Sequence, residues 1–140
     1  MKLLSVTAML LCIGLSSLGA QTQSVKAKDP GLQAAIEGRQ KAIDTRSAAD
    51  WSKYTADGFV TVTADGEIQS REQRMKVQGS GQPPATPNKA VIDSIRMFGS
   101  DTAVSIQHNS TNNRITIVWV RQGGMWRAAS SHISVIKAAK

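Results

Sequence analysis

The segment that most constrains the fold covers residues 114–136, where two strand-like stretches flank a pair of glycines. Residues 115–120 are β-branched or aromatic, Gly123 and Gly124 interrupt them, and residues 125–136 form a second extended stretch. This pattern predicts a β-hairpin. The first stretch is apolar at both odd and even positions, so both of its faces are expected to be covered. The sheet therefore needs a helical layer on one face and another partner on the other.

The first 20 residues are typical of a secretory signal peptide. Lys2 supplies the positive charge, residues 3–18 are mostly apolar, and small residues precede an expected cleavage site after Ala20. The apolar run of roughly 16 residues is short for a membrane span, which needs about 20. Cys12 does not indicate lipid attachment, because two leucines precede it where small residues are required. We expect an exported protein, periplasmic or extracellular, without a membrane anchor after cleavage.

Cleavage would leave about 120 residues, enough for one domain with one core. It would remove the only cysteine, so disulfides are excluded, and lower the net charge from +7 to +6. The basic residues are scattered and no aromatic residues alternate with them, which indicates a solvated basic surface rather than a nucleic-acid interface. We expect residues 21–29 to be a flexible lead-in and residues 30–137 to form the domain.

Helix-start signals dominate the first half of this domain. Asp29 is an expected N-cap with Pro30 at the first helical position, and Ser47 and Ser70 are further capping signals. In the first helix, helical spacing assigns one set of residues to the apolar face: Leu32, Ala35, Ile36, Ala42 and Ile43. The polar face is expected to carry Glu37, Arg39, Gln40, Lys41 and Asp44. The second helix is expected to end near residues 57–58.

The second half is predicted to be mainly strands. A short strand at residues 59–63 leads into an Asp65-Gly66 turn, and residues 79–88, with three prolines, form a loop. From residue 89 onwards, alternating stretches separated by turn residues predict an antiparallel meander. Helices followed by a meander favour an α+β fold with the helices packed on one sheet face.

The order and spacing of several short segments resemble the SnoaL-like, ketosteroid isomerase-related domains of the nuclear transport factor 2-like superfamily. The segments that carry the resemblance are Trp51, residues 54–60, Asp65-Gly66, residues 70–72, residues 98–104, residues 118–121 and residues 124–127. The resemblance implies a cone in which a curved antiparallel sheet wraps over the helices, with an apolar cavity at its wide end. It also implies a homodimer formed through the outer sheet face. A small, largely apolar ligand is the expected partner, with no cofactor.

The isomerase chemistry of that family is poorly supported by these residues. It requires a carboxylate base, which relatives carry on the first strand, and a protonated acid that stabilises the enolate oxygen. Here residues 60–63 of the first strand contain no carboxylate, and residues 115–120 of the late strand contain none. Asp65 lies nearby, but an Asp-Gly pair at a hairpin is explained by turn geometry.

His132 is the remaining candidate for catalysis. It shares alternation with Trp126 and Ala128 in the last strand, and an imidazole can accept or donate a proton, so it is a candidate general acid/base if that face lines the cavity. A histidine on an exposed or dimer-facing surface is the alternative, and alternation alone does not decide between them. His108 is expected on the solvent side. The two histidines lack a nearby carboxylate cluster, so no metal site is expected.

Large side chains and one hydroxyl are expected to surround the cavity. The candidate pocket residues are Tyr54, Trp51, Phe59, Met75, Trp119 and His132. Ordinary core packing is the alternative for each aromatic residue, although the buried hydroxyl of Tyr54 would need a polar partner. We expect a small-molecule-binding or interaction domain without isomerase activity. The alternatives are an enzyme of the isomerase, cyclase or hydrolase class that uses His132, and a module that binds a protein partner through its basic surface.

Overall fold

Three helices pack against one face of a curved, unclosed, six-stranded sheet in the computed structural model, which describes residues 24–137. The expected signal peptide at residues 1–20 lies outside the described residues. The elements in chain order are α1 (Pro30–Asp44), α2 (Ala48–Lys53), β1 (Thr55–Val62), β2 (Ile68–Ser70), α3 (Arg71–Gly79), β3 (Ala90–Phe98), β4 (Thr102–Asn109), β5 (Asn113–Gln122) and β6 (Met125–Val135). The α+β fold expected from the sequence is confirmed.

The sheet is mixed rather than wholly antiparallel. Its strand order is β2-β1-β6-β5-β4-β3, and strands β3 to β6 form the antiparallel meander that the sequence predicts. Strand β1 instead pairs in parallel with β6. After β2 and α3 the chain reaches the far edge of the sheet and returns through three hairpins, so β6 meets β1 in the same direction. This parallel pairing depends on the path of the whole chain, so no local sequence pattern predicts it.

Local capping chemistry sets where each helix begins. The side chain of Asp29 accepts a hydrogen bond from the Leu32 backbone N–H (2.9 Å), and Ser47 accepts one from Asp50 in the same way (3.1 Å). Ser70 forms a reciprocal capping box at the start of α3. The expected end of α2 at residues 57–58 is wrong, because the helix ends at Lys53 and residues 55–58 already belong to β1.

The core lies between α1, α2 and the inner face of the sheet. Trp119 is 1% exposed, and its indole N–H donates to the hydroxyl of Ser105 (2.9 Å), so this large side chain leaves no buried donor unsatisfied. Other core side chains are apolar: Leu32, Ala35, Ile36, Ala42, Trp51, Phe59, Ile92, Ala103, Ile117, Trp126 and Ala128. Buried apolar area of this kind supplies most of the stability of the domain.

A β-bulge in β6 changes which side chains of that strand face the core. Trp119 pairs with Ala128 and Val118 pairs with Ser130, so Ala129 is an extra residue on the β6 side. Before the bulge, Trp126 and Ala128 are buried; after it, the inward positions are Ser131 and Ile133. The alternation that linked Trp126 to residue 132 is therefore broken.

The described part of the lead-in is attached to the domain. The backbone N–H of Val25 donates to the carbonyl of Ile92 (2.9 Å), and the N–H of Ile92 donates to the hydroxyl of Ser24 (3.0 Å). Asp29 also accepts hydrogen bonds from the guanidinium of Arg121 and the indole of Trp126. Among the described helices, none has the length and apolar character needed to cross a bilayer.

Candidate functional site

A cavity of about 220 Å³ opens at one end of the sheet, beside the turn between β4 and β5. Helix α1 contributes one wall, the inner faces of β4, β5 and β6 contribute the other, and the loop before β3 closes one side. Its lining consists of Arg39, Gln40, Ile43, Trp51, Arg74, Asn88, Ala90, Gln107, Asn109, Thr111, Asn113, Ile115, Ser131 and Ile133. The lining contains two arginines and a group of amides and hydroxyls, which differs from the apolar cavity that the resemblance implies.

Arg39 is the most unusual residue of this lining. It lies in the middle of α1 and is only 7% exposed, yet no carboxylate of the described residues lies within ion-pair distance of its guanidinium. Its Nε is buried and has no hydrogen-bond partner. Burial, followed by the charge of Arg74, lowers the pKa of Arg39 to about 10. The side chain therefore remains positively charged at neutral pH.

Two aromatic rings hold the Arg39 guanidinium in place. Its central carbon lies 5.4 Å from the Trp51 ring centroid and 5.5 Å from the Phe59 ring centroid. The two rings meet edge to face, with centroids 5.4 Å apart and planes at 89°. Cation–π contacts of this kind offset part of the cost of burying the charge and fix the direction of the side chain, but they supply no hydrogen-bond acceptor for its buried Nε.

Two further arginines extend the positive charge away from Arg39. Arg74 of α3 lines the same cavity, and burial together with the charge of Arg46 lowers its pKa. Arg46 lies just past the end of α1, with its guanidinium donating to the carbonyl of Val77 (3.3 Å). Each arginine of this row thus lies next to another cation. The lining of the cavity itself contains no Asp, Glu or His.

Amide side chains form the polar rim of the cavity and connect its parts. Gln40 donates to the carbonyl of Asn88 (3.2 Å), and the Asn88 side-chain oxygen accepts from the hydroxyl of Ser110 (2.8 Å). Asn109 accepts from the backbone N–H of Asn113 (3.0 Å) and so closes the turn between β4 and β5. These bonds position hydrogen-bonding groups around the cavity mouth.

Two of the aromatic residues expected near a pocket lie beside this cavity. Trp51 lines it directly, and Phe59 lies behind the Arg39 guanidinium. The sequence assigned Arg39 itself to the polar face of α1, so the structure corrects that assignment. Arg74 was not singled out by sequence either.

Three other candidates lie away from the cavity lining. Tyr54 packs over Gly38 on the opposite side of α1, Met75 is half-buried against the core, and Trp119 is enclosed within it. None of the three belongs to the cavity lining.

His132 is exposed on the outer face of the sheet, where it pairs with Val62 and Thr116. The bulge at Ala129 is the physical reason, since it moves residue 132 to the face opposite Trp126 and Ala128. His132 therefore does not contact the cavity. His108 is half-buried at the surface and lies 2.8 Å from the carboxylate of Asp93.

Asp65 lies in the exposed turn after β1. The hydroxyl of Thr63 and backbone N–H groups lower the pKa of its carboxyl, so it is a weaker base than an ordinary aspartate. Within residues 24–137, His, Cys, Asp and Glu side chains do not form a group of three or more that could hold a metal ion.

A larger groove of about 450 Å³ lies between the lead-in, α1 and β3. Its charged side chains are of both signs, with Lys26 and Lys41 beside Glu37 and Asp44. It therefore lacks the uncompensated charge that distinguishes the cavity.

Solved structures with the same architecture share little sequence with this chain. An NTF2-like protein of unknown function from Silicibacter pomeroyi superposes with a TM-score of 0.65 at 18% identity, covering 75% of this chain and 92% of that one. An NTF2-like protein from Cytophaga hutchinsonii gives 0.60 at 18% identity, covering 75% and 95%. The association domain of CaMKII from C. elegans gives 0.63 at 12% identity, covering 74% and 92%.

No protein-family model matches the sequence, and no curated protein matches it significantly. At these identities the likeness establishes architecture and does not transfer activity. The helices packed on a curved sheet agree with the cone that the resemblance implies. The chain therefore has the nuclear transport factor 2-like fold.

Proposed function

We propose that this domain binds a small organic anion, with a carboxylate group held by Arg39 and Arg74 inside the cone, and that it does so without isomerase chemistry. The observation that carries the proposal is the buried guanidinium of Arg39, which has no carboxylate partner among the described residues. A bound anion would supply the missing acceptors.

The cost of burying the Arg39 charge favours an anionic ligand beside it. An uncompensated ion inside a protein costs several kcal/mol, and cation–π contacts with Trp51 and Phe59 recover about 2 kcal/mol. A hydrophobic residue at position 39 would avoid this cost. An arginine is favoured there if a ligand carboxylate completes the pair, because the guanidinium offers N–H donors in a fork that matches two carboxylate oxygens.

The size and polarity of the cavity restrict the ligand further. Its volume of about 220 Å³ is below the ~300–1,000 Å³ range of sites for drug-sized molecules, which favours a small metabolite. Ile43, Trp51 and Ile115 offer apolar surface for a short hydrocarbon part. The ligand is thus a small carboxylate with an apolar body, rather than the largely apolar molecule expected from the sequence.

The catalytic alternative has less support. An isomerase or hydrolase of this type needs a general base at the cavity, and the lining contains no carboxylate and no histidine. His132, the candidate general acid/base, lies on the other face of the sheet. Binding without turnover is the function that agrees with these positions.

Calorimetric titration with benzoate and with its neutral isostere benzamide tests the proposal. Benzoate should bind and benzamide should not, because the two differ mainly in charge and hydrogen-bond acceptors. Arg39→Met should abolish benzoate binding, whereas Lys41→Met, which removes an exposed charge from the same helix, should not. Equal binding of benzoate to the wild type and to Arg39→Met would overturn the proposal.

A second function, self-association, is supported by the outer face of the sheet. Val60 is 42% exposed and Ile68 is 70% exposed, and half-buried valines of β4 and β5 lie on the same face. Polar residues such as Ser130 and His132 lie between these apolar side chains, and exposed apolar residues on a sheet face often mark a contact with a partner. One structure with this fold is an association domain, which is compatible with a homodimer formed through this face.

Export is a further part of the proposal, and it rests on the N-terminal sequence alone. Mass spectrometry of the protein recovered from the periplasm or the medium should find a chain that begins at residue 21. An intact chain in the cytoplasm would contradict it.

A further inference from the structure

A second hollow adjoins the cavity and contains more unpartnered donors. This hollow, which we call the loop groove, has a volume of about 440 Å³ and lies beneath the proline-containing loop of residues 79–88. Ile43, Arg74, Asn88 and Thr111 line both the loop groove and the cavity. The two hollows therefore adjoin along a shared wall.

Two buried donor groups of the loop groove lack acceptors within the described residues. Gln78 is only 3% exposed, and its side-chain N–H₂ group is buried without a hydrogen-bond partner. Arg46 donates one N–H to the carbonyl of Val77, but its Nε is buried and unpartnered. Buried polar groups are normally paired, so these donors are positions where water or a ligand would supply acceptors.

The backbone at Arg46 is held in an unusual conformation. Its φ angle is +55°, in the left-handed region that costs a non-glycine residue roughly 1 kcal/mol or more. This turn directly after α1 directs the chain so that the Arg46 side chain lies along the loop groove. The backbone N–H groups of Ser47 and Arg46 donate to the carbonyls of Ala42 and Ile43, which is the common Schellman helix end, with arginine in place of the usual glycine.

The cavity and the loop groove share a row of three arginines: Arg39, Arg74 and Arg46. Arg46 follows Arg39 by seven positions and lies past the end of α1, with Arg74 at the shared wall. The helical part of this separation, from Arg39 to Asp44, rises about 7.5 Å along the helix axis. Ile43, which is apolar, lies between them. One carboxylate, Asp44, lines the loop groove, and it accepts a hydrogen bond from Gln40 (3.0 Å). Three cations against one anion leave the row positive.

We infer that the ligand is a linear dicarboxylate that spans both hollows. One carboxylate lies on Arg39 and Arg74 in the cavity, the methylene chain crosses Ile43, and the second carboxylate accepts hydrogen bonds from Arg46 and Gln78 beneath the loop. This inference rests on the proposed function, since it assigns the first carboxylate to the same cavity.

Calorimetric titration of the purified protein with dicarboxylates of increasing length tests the inference. The series is succinate, adipate, suberate and sebacate, each compared with a monocarboxylate of equal chain length. Affinity should pass through a maximum at adipate or suberate, because shorter chains do not reach Arg46 from Arg39. At that maximum the dicarboxylate should bind about tenfold more tightly than its monocarboxylate partner.

Arg46→Gln should lower dicarboxylate affinity to that of the monocarboxylate of equal length, whereas Lys41→Gln on α1 should preserve the difference between the two. Dicarboxylates that bind no better than monocarboxylates, or an affinity without a length optimum, would overturn the inference while leaving the anion site intact. Failure of every carboxylate to bind would overturn both proposals. The length series uses only wild-type protein, so the test stands even if Arg46→Gln does not fold.

Discussion

The ring of Tyr54 lies directly over the α-carbon of Gly38, so close that a methyl group there would come within 2.4 Å of the ring carbon Cζ. Gly38 is in the interior of α1, where glycine costs about 1 kcal/mol relative to alanine. The helix accepts this cost because a larger residue would displace the tyrosine. The contact also explains why Tyr54 packs against the helix instead of lining the cavity.

Gly38→Ala should therefore lower the free energy of unfolding by about 1 kcal/mol, because the overpacking penalty exceeds the gain in helix propensity. In a Tyr54→Ala background the same substitution should raise it by about 1 kcal/mol, since only the propensity gain remains. Urea denaturation of the four proteins measures both values.

Gly58→Ala is the matched control, because a methyl group at Gly58 meets no atom within 4 Å. Its effect should stay within about 0.5 kcal/mol. A stabilising effect of Gly38→Ala in the wild-type background would show that the Tyr54 contact is not a constraint.

Asp29 should make stability depend on pH in the acid range. The Leu32 backbone N–H is the largest influence that lowers the pKa of Asp29, and Arg121 and Trp126 lower it further. A depressed folded-state pKa means that the stabilisation is fully present above the unfolded-state value of 3.8 and is lost as pH falls through the folded-state value. The unfolding free energy of the wild type should therefore fall more steeply between about pH 5 and pH 3 than that of Asp29→Asn.

The asparagine retains an N-capping oxygen but has no titrating charge, so the comparison isolates the ionised form. Other carboxyls with lowered pKa values, such as Asp50 and Glu72, titrate in both proteins and cancel in the difference. Parallel stability curves for the two proteins would contradict the role assigned to the Asp29 charge.

The outer sheet face should control the oligomeric state. Val118 lies near the middle of that face, paired with Val104 and Ser130. Light scattering after size exclusion should find a dimer for the wild type and a monomer for Val118→Glu, because a buried unpaired charge is unfavourable at an apolar interface. Val77→Glu on α3 introduces the same charge at an exposed valine elsewhere and should remain dimeric. A monomeric wild type would contradict the proposed dimer.

The parts of the fold that depend on neighbouring residues were predictable. Asp29, Ser47 and Ser70 begin helices because their side chains satisfy backbone N–H groups two or three residues away. The Gly123-Gly124 connection forms the hairpin because both residues adopt positive φ angles. Such chemistry is visible in sequence because the interacting groups are adjacent.

The position of His132 was not predictable from alternation. One additional residue, Ala129, reverses which face the later part of β6 presents, and the pairing with β5 that creates the bulge lies outside the strand itself. The parallel pairing of β1 with β6 is hidden for the same reason, since it depends on the path of the whole chain.

The position of Arg39 in the sequence indicates that it faces the core, contrary to its assignment to the polar face of α1. It follows Leu32 and Ile36 at helical intervals and precedes Ile43 by one turn, so it belongs to the apolar stripe of α1. The core-facing stripe of a helix is usually apolar, and a charged residue within it is expected mainly at functional sites. What the sequence did not reveal is that Arg74, 35 positions later, would lie beside it.

The stability of Arg39→Met, with and without benzoate, tests the central claim most directly. Without ligand the variant should be more stable than the wild type by about 1–4 kcal/mol, because a well-packed apolar side chain replaces a buried, unpaired charge. Increasing benzoate should stabilise the wild type by mass action and leave the variant unchanged. A variant that is less stable than the wild type without ligand, and equally stabilised by benzoate, would contradict the account of Arg39 as a buried cation that awaits an anionic ligand.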